Sequence, residues 1–406
     1  MKPAALITIV AIALSAAGAG AAERFRPAAP DFVVLQVPAR STQDPIFPLE
    51  QQVLRAPDDQ TAAANLAALY VERARTQREP RYFGRAEQLL HRWVARADAS
   101  AATLRVQADI LQNRHDFSGA LGLLDRAIAL EPRDANARLI RASILMVQGR
   151  APDARGDCAA VLASGASAPG TVCFAQMLGS TGQLAQGERL LATLLAGEGS
   201  RVMTPISAAG ATSTPSPLAS SRGGSAVRGW ALWVMADFAD RRSDTAGAER
   251  LLRAALNATP ENDGVRSALV DLLLARGATR DALSLLDVPA PSVGLLARRA
   301  RAQALLGDDG LEATRTQIDE LLSLASRRGE RPHLREEALL ALDVEHDATR
   351  ALDLARRNFE SQRETIDVRL LVRAARASGN AAAIGDVTRW LRETHFEDRM
   401  LPELRT

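Results

Sequence analysis

Large side chains are scarce in this 406-residue chain: aromatics make up 4% of it, with 4 Trp, 2 Tyr and 9 Phe. That supply is too thin to anchor one compact globular centre. Lysine occurs once, at Lys2, so the basic complement is otherwise arginine. Runs of one charge sign are missing too. The 50 basic and 48 acidic residues are interspersed and leave a net charge of +2. Without a basic patch, no nucleic-acid partner is expected.

Cysteine is limited to Cys158 and Cys173. They form a disulfide if the fold brings their Cα atoms within about 7 Å, and are otherwise two buried small hydrophobes. The five histidines, His91, His115, His333, His346 and His395, are far apart in sequence. There is no HExxH, no GxSxG and no phosphate-cradling glycine loop, so no catalytic residue, metal or cofactor is expected. Glu345, His346 and Asp347 are adjacent and read as a solvated turn between helices, because neighbours in sequence seldom converge on one ion.

Ala, Leu and Arg are plentiful instead, and they are the strongest helix formers. Beyond the N-terminal arm the β-branched and aromatic enrichment of strands is absent. These observations predict an all-α chain.

The first residues, MKPAALITIVAIALSAAGAGAAERF, carry one cation, an apolar stretch from Ala4 to Leu14 and small residues ending in Ala19-Gly20-Ala21. That is a secretory signal pattern, and the apolar stretch is short of the roughly 20 residues of a membrane span. Residues 1–21 are therefore expected to be a cleaved signal peptide, which places the mature chain in a periplasm or outside the cell. Membrane contact is then expected only through a partner.

An internal period near 34 residues organises the rest. In the block 101–134, Ala108, Leu111, Ala120, Leu124, Ala127 and Pro132 fall at positions 8, 11, 20, 24, 27 and 32. The next block repeats Ala142, Leu145, Gly149 and Ala154, and a third gives Ala175, Leu178, Gly182 and Gly187. Further on come Ala236, Ala248, Leu252, Ala255 and Pro260, followed by Leu269, Leu273, Gly277, Ala282 and Leu286. Small residues at such intervals let two helices approach closely, where a bulky side chain would overpack the contact.

In these residues the chain resembles the tetratricopeptide repeat family, here an exported bacterial member. The resemblance implies an α-solenoid of stacked antiparallel helical hairpins, eight or nine in number, with a concave wall formed by positions 2, 5, 9, 12 and 13 of each first helix. Those positions are Arg105, Asp109, Gln112, Asn113, Met146, Gln176, Trp230, Trp233, Asp237, Arg241, Asp271 and Arg301. A protein or peptide held in that groove is the partner the family implies. The carboxylate grip by paired lysines seen in one subclass is not supported in a mature chain without lysine.

The expected organisation is a signal peptide at 1–21, an extended proline-rich arm at 22–57 and hairpins over 58–196. A disordered Ser/Gly/Pro loop at 197–228 follows, with further hairpins and a C-terminal cap over 229–406. The leading functional expectation is a non-catalytic periplasmic adaptor in an envelope-associated complex. The alternatives are a hydrolase or metal-dependent enzyme on a helical scaffold, with 197–224 as its lid, and a self-assembling structural protein.

Overall fold

The computed structural model describes residues 44–198, 223–329 and 333–401. The signal segment, the arm up to residue 43 and the centre of the 197–228 tract lie outside the described residues. Among the described residues of the unit that starts at Pro45, a single helix α1 (Ile46–Arg55) leads into nine helical hairpins. They are α2 (Gln60–Thr76) with α3 (Arg81–Val94), α4 (Ala101–Asn113) with α5 (Phe117–Leu130), and α6 (Ala135–Val147) with α7 (Arg155–Ala163). Next come α8 (Ser167–Gly179) with α9 (Leu184–Glu198), α10 (Gly223–Arg241) with α11 (Thr245–Ala258), and α12 (Asp263–Ala275) with α13 (Thr279–Ser284). The last three pairs are α14 (Val293–Leu306) with α15 (Leu311–Arg327), α16 (Leu334–Asp343) with α17 (Ala348–Phe359), and α18 (Thr365–Ala377) with α19 (Ala381–Thr394). No strand occurs among the described residues.

The hairpins follow from local chemistry. Polar residues cap the helix starts: Asp116 accepts the Gly119 N–H at 3.3 Å, Asp134 the Asn136 N–H at 2.8 Å, and Asp244 the Gly247 N–H at 2.9 Å. Each satisfies an amide that the first turn leaves unpaired. The notch residues Ala108, Ala120, Ala127, Ala142, Ala154, Ala175, Ala248, Ala255 and Ala282 are fully buried between helices. At the Gly187 notch, a Cβ would stand 2.5 Å from the Ala175 carbonyl oxygen. The core is accordingly strung along the stack in successive clusters, as in a quasi-linear repeat array.

Two expectations are corrected at their boundaries. The arm predicted to be extended through residue 57 becomes helical at Ile46, despite Pro48. Proline is tolerated there because it occupies the first turn, where its missing N–H has no intrahelical partner to lose. The loop predicted over 197–228 gives way to helix at both ends, with α9 running to Glu198 and α10 starting at Gly223.

Cys158 on α7 and Cys173 on α8 form a disulfide, with their Cα atoms 5.4 Å apart. Position 24 of one block and the first helix of the next face each other across the hairpin boundary, which brings the pair into range.

Candidate functional site

Helices alone do not make a binding surface; what matters is where each first helix ends. The turn after it needs one residue in the left-handed region, and glycine supplies it at Gly149, Gly182, Gly277, Gly307 and Gly379. In four other hairpins the same φ is taken by Arg78, His115, Ser243 and His346.

These turns form an edge along the stack, and the solenoid curls until its last hairpins lie against that edge. The α17–α18 connection meets the third hairpin, where the Arg363 N–H donates to the Val147 carbonyl at 2.7 Å. Gly149 lies so close that a Cβ there would be 2.9 Å from Arg363 Cδ. At the fourth hairpin a Cβ on Gly182 would be 2.7 Å from that of His395. Further along, the rings of His115 and His333 have centroids 6.2 Å apart, and Arg78 Nε donates to Asp263 at 2.8 Å.

The densest part of this contact is a ledge at the C-terminal end of α10. Thr365 donates its hydroxyl to Asp237 at 2.6 Å, and Arg369 pairs with Asp240. The Arg369 fork also grips both oxygens of Asp398, at 2.8 and 3.0 Å. Arg241 donates to the Gly179 carbonyl at 2.7 Å, to the Glu397 carbonyl at 2.7 Å and to Asp237 at 3.2 Å. The Phe396 ring centroid sits 3.8 Å from its guanidinium carbon. A planar fork that reads main-chain carbonyls while stacking on an aromatic face is arginine-specific chemistry.

Burial shapes the charges here. It pushes the Asp240 carboxyl above the usual carboxylate range against the opposing pull of Arg369. For Arg369, burial works against the charge, and the bonds to Asp398 and Asp240 outweigh it and raise the pKa. Asp271 behaves in the opposite sense to Asp240: burial would raise it, but Arg298 and Arg301 hold it below the usual range.

The twelve residues read from the sequence as a concave wall separate into groups. Asp237 and Arg241 come together on the ledge. Asp271 joins Arg301 at 2.7 Å, and Arg301 also reaches Asp343 at 2.6 Å. Arg105 pairs with Asp134 at 3.1 Å and Asp109 with Arg75, while Gln112 and Gln176 are partly exposed and Asn113 is exposed. Trp230 and Trp233 pack partly buried against neighbouring clusters, and Met146 is buried. Burial differs among these positions: Arg241 is 1% exposed and Arg301 9%, while Asn113 is exposed. At Arg241 the cause is the segment after the last hairpin, which lies on it, whereas Arg105 and Arg301 are enclosed by neighbouring repeats through Asp134, Asp271 and Asp343. Among the described residues no group of three His, Cys, Asp or Glu side chains is placed to hold a metal ion.

Arg369, Phe396, Glu397 and Asp398 went unnoticed in the sequence. The available signal was the aromatic-acidic string HFED just past the last repeat-like helix, matched by the Asp/Arg positions of α10.

The architecture is that of an α-solenoid built from helical hairpins. Residues 241–307 match the family model described as Tetratricopeptide repeat, and helical hairpins continue on either side of that segment. No curated protein matches the sequence. Similar solved structures include a tetratricopeptide repeat protein from Parabacteroides merdae ATCC 43184, at 13% identity over 76% of this chain and 98% of that one, TM-score 0.36. Another is the human IFIT1 dimer with PPP-AAAA, at 12% identity over 90% and 94% of the two chains, TM-score 0.44. Yeast Tom70 is similar at 13% identity over 83% and 86%, TM-score 0.26. At these TM-scores none of the three bears on function.

Proposed function

We propose that this chain is a non-catalytic adaptor of the bacterial envelope, exported through its N-terminal signal segment, which assembles proteins in the periplasm. The repeat fold supports a protein-interaction scaffold. One observation carries the reading furthest: the α10 ledge binds polypeptide, taking a threonine hydroxyl on Asp237 and a main-chain carbonyl on Arg241 from elements 128 and 156 residues away. A hydroxyl and a main-chain carbonyl are groups that a protein segment presents. The signal pattern at residues 1–21 supports the location.

Two measurements on the native chain test this. Mass spectrometry of the protein from a periplasmic fraction is expected to find an N-terminus just after Ala21. Crosslinking in intact cells followed by affinity capture is expected to recover a specific envelope protein. Retention of residues 1–21 in a cytoplasmic pool, with no partner recovered across growth conditions, contradicts the proposal.

A further inference from the structure

The segment that ends the described residues is held by contacts across the fold. After α19 the backbone turns through His395, in the left-handed region at φ 55°, and continues to Leu401 outside any helix. Several of its contacts reach distant elements. The Glu397 carbonyl takes the Arg241 Nε–H, and the Arg399 N–H returns to the Arg241 carbonyl at 2.7 Å. The Glu397 carboxylate accepts the Leu184 N–H at 3.3 Å, at the start of α9, where an anion meets an unpaired amide and the positive end of the helix dipole. Phe396 lies between Arg241 and Trp390, whose ring centroid is 5.4 Å away.

Taken together these are four recognition elements for a short non-helical segment: the Arg241 side-chain donor paired with its main-chain carbonyl acceptor, an aromatic seat on a guanidinium, an amide for one carboxylate and an arginine fork for the next. The fit is also loose on one side. A cavity of about 470 Å³ opens between Gly182, Leu391 and the segment, and Glu397, Arg399 and Met400 remain exposed.

We propose that the α10 ledge is a receptor for a short non-helical polypeptide segment carrying an aromatic residue followed by two acidic ones, and that His395–Leu401 is its resident occupant. A partner protein presenting Phe-Glu-Asp chemistry displaces that segment and takes its place. Charge complementarity selects this occupant: Arg241, Arg369 and the Leu184 amide face a segment whose own side chains there are Phe396, Glu397 and Asp398. While the resident segment is seated, the fraction of receptor open to a partner is small, and apparent affinity falls by that fraction. This inference rests on the scaffold reading and deepens it.

The test uses the full chain and a fluorescein-labelled peptide with the sequence of residues 394–401. Replacing Phe396→Ala together with Glu397→Ala loosens the resident segment and leaves Arg241, Arg369 and Leu184 in place. By anisotropy this variant is expected to bind the peptide about tenfold tighter than the natural chain does, with no binding of a scrambled peptide. Equal binding by both proteins, or none by a variant whose helix signal in circular dichroism is unchanged, overturns the proposal. A doubling of mass in light scattering, which means that a second copy fills the ledge instead, overturns it as well.

Should the double variant lose its helices, hydrogen exchange on the natural chain decides. The Leu184 and Arg399 amides are expected to exchange faster than the interior of α19, which reports detachment of the segment alone. Exchange in step with α19 makes the contact permanent packing and overturns the proposal. Neither outcome alters the partner capture of the preceding section, so the two readings fail separately.

Discussion

Arg241 and Glu397 are 156 residues apart in sequence and joined at 2.7 Å, Nε–H to main-chain carbonyl, in a site where the arginine side chain is almost wholly buried. Removing the guanidinium leaves the Gly179 and Glu397 carbonyls and the Asp237 carboxylate short of a donor. Arg241→Ala is expected to cost about 3 kcal/mol in urea unfolding, and Arg241→Lys to recover only part of it, because an ammonium cannot span the same acceptors in one plane. A loss below about 0.5 kcal/mol for the alanine variant contradicts this.

The notch residues make a second prediction. Ala120 and Ala248 are fully buried at the same repeat position. Each substitution to leucine forces extra methylenes into a close helix contact and is expected to cost about 1–3 kcal/mol in denaturant midpoint experiments. Leu130→Ala serves as the control: Leu130 is 57% exposed, and its loss is expected to stay within about 0.5 kcal/mol.

Backbone strain at the turns gives opposite signs at equivalent positions. Ser243 holds φ 69° and Gly277 φ 78°, and nothing lies within 4 Å of a Cβ placed on Gly277. Ser243→Gly is expected to raise stability by roughly 1 kcal/mol, and Gly277→Ala to lower it by a similar amount, from conformation alone. Thermal melts of the two variants, moving in opposite directions, check the assignment.

These turns also show how far the sequence could be read. The period near 34 residues, the alanine notches and the turn glycines carry a repeating signal, so the helices between Gln60 and Leu286 were legible from their spacing. His115, Ser243 and His346 occupy the same left-handed turn position without glycine, and nothing in their identity announces it. The closure was hidden for a different reason. Asp237 with Thr365 and Arg369 with Asp240 are single polar pairs set by curvature accumulated over several hairpins, and no local pattern records that sum. Arg241 was legible as a groove position. Its occupant, a stretch of the same chain outside the repeats, was not.

His115 supplies the pH dependence. It faces His333, Arg335 and Glu336 on the α16 side and Asp367 on α18, and stacks on Phe117 with ring centroids 5.8 Å apart. Burial lowers its pKa, with Arg335 and His333 acting in the same direction and Glu336 and Asp367 opposing. A folded-state value below the unfolded value of about 6.5 means that the stability from neutral His115 is complete above that pH and lost as pH falls through the folded value. Melting temperature is therefore expected to drop between pH 7.5 and 5.5, and His115→Asn, which tolerates the same φ, to shrink that drop. An unchanged drop removes His115 as its source.

The closing contact is tested most directly by a double-mutant cycle between Asp237 and Thr365, which are 128 residues apart and joined by a 2.6 Å hydrogen bond. Asp237→Ala, Thr365→Ala and the double variant, compared in urea unfolding, are expected to give a coupling energy of about 1–2 kcal/mol, as for a hydrogen bond to a charged group. A coupling below about 0.3 kcal/mol means that the last hairpin does not rest on the ledge in solution, and contradicts the account.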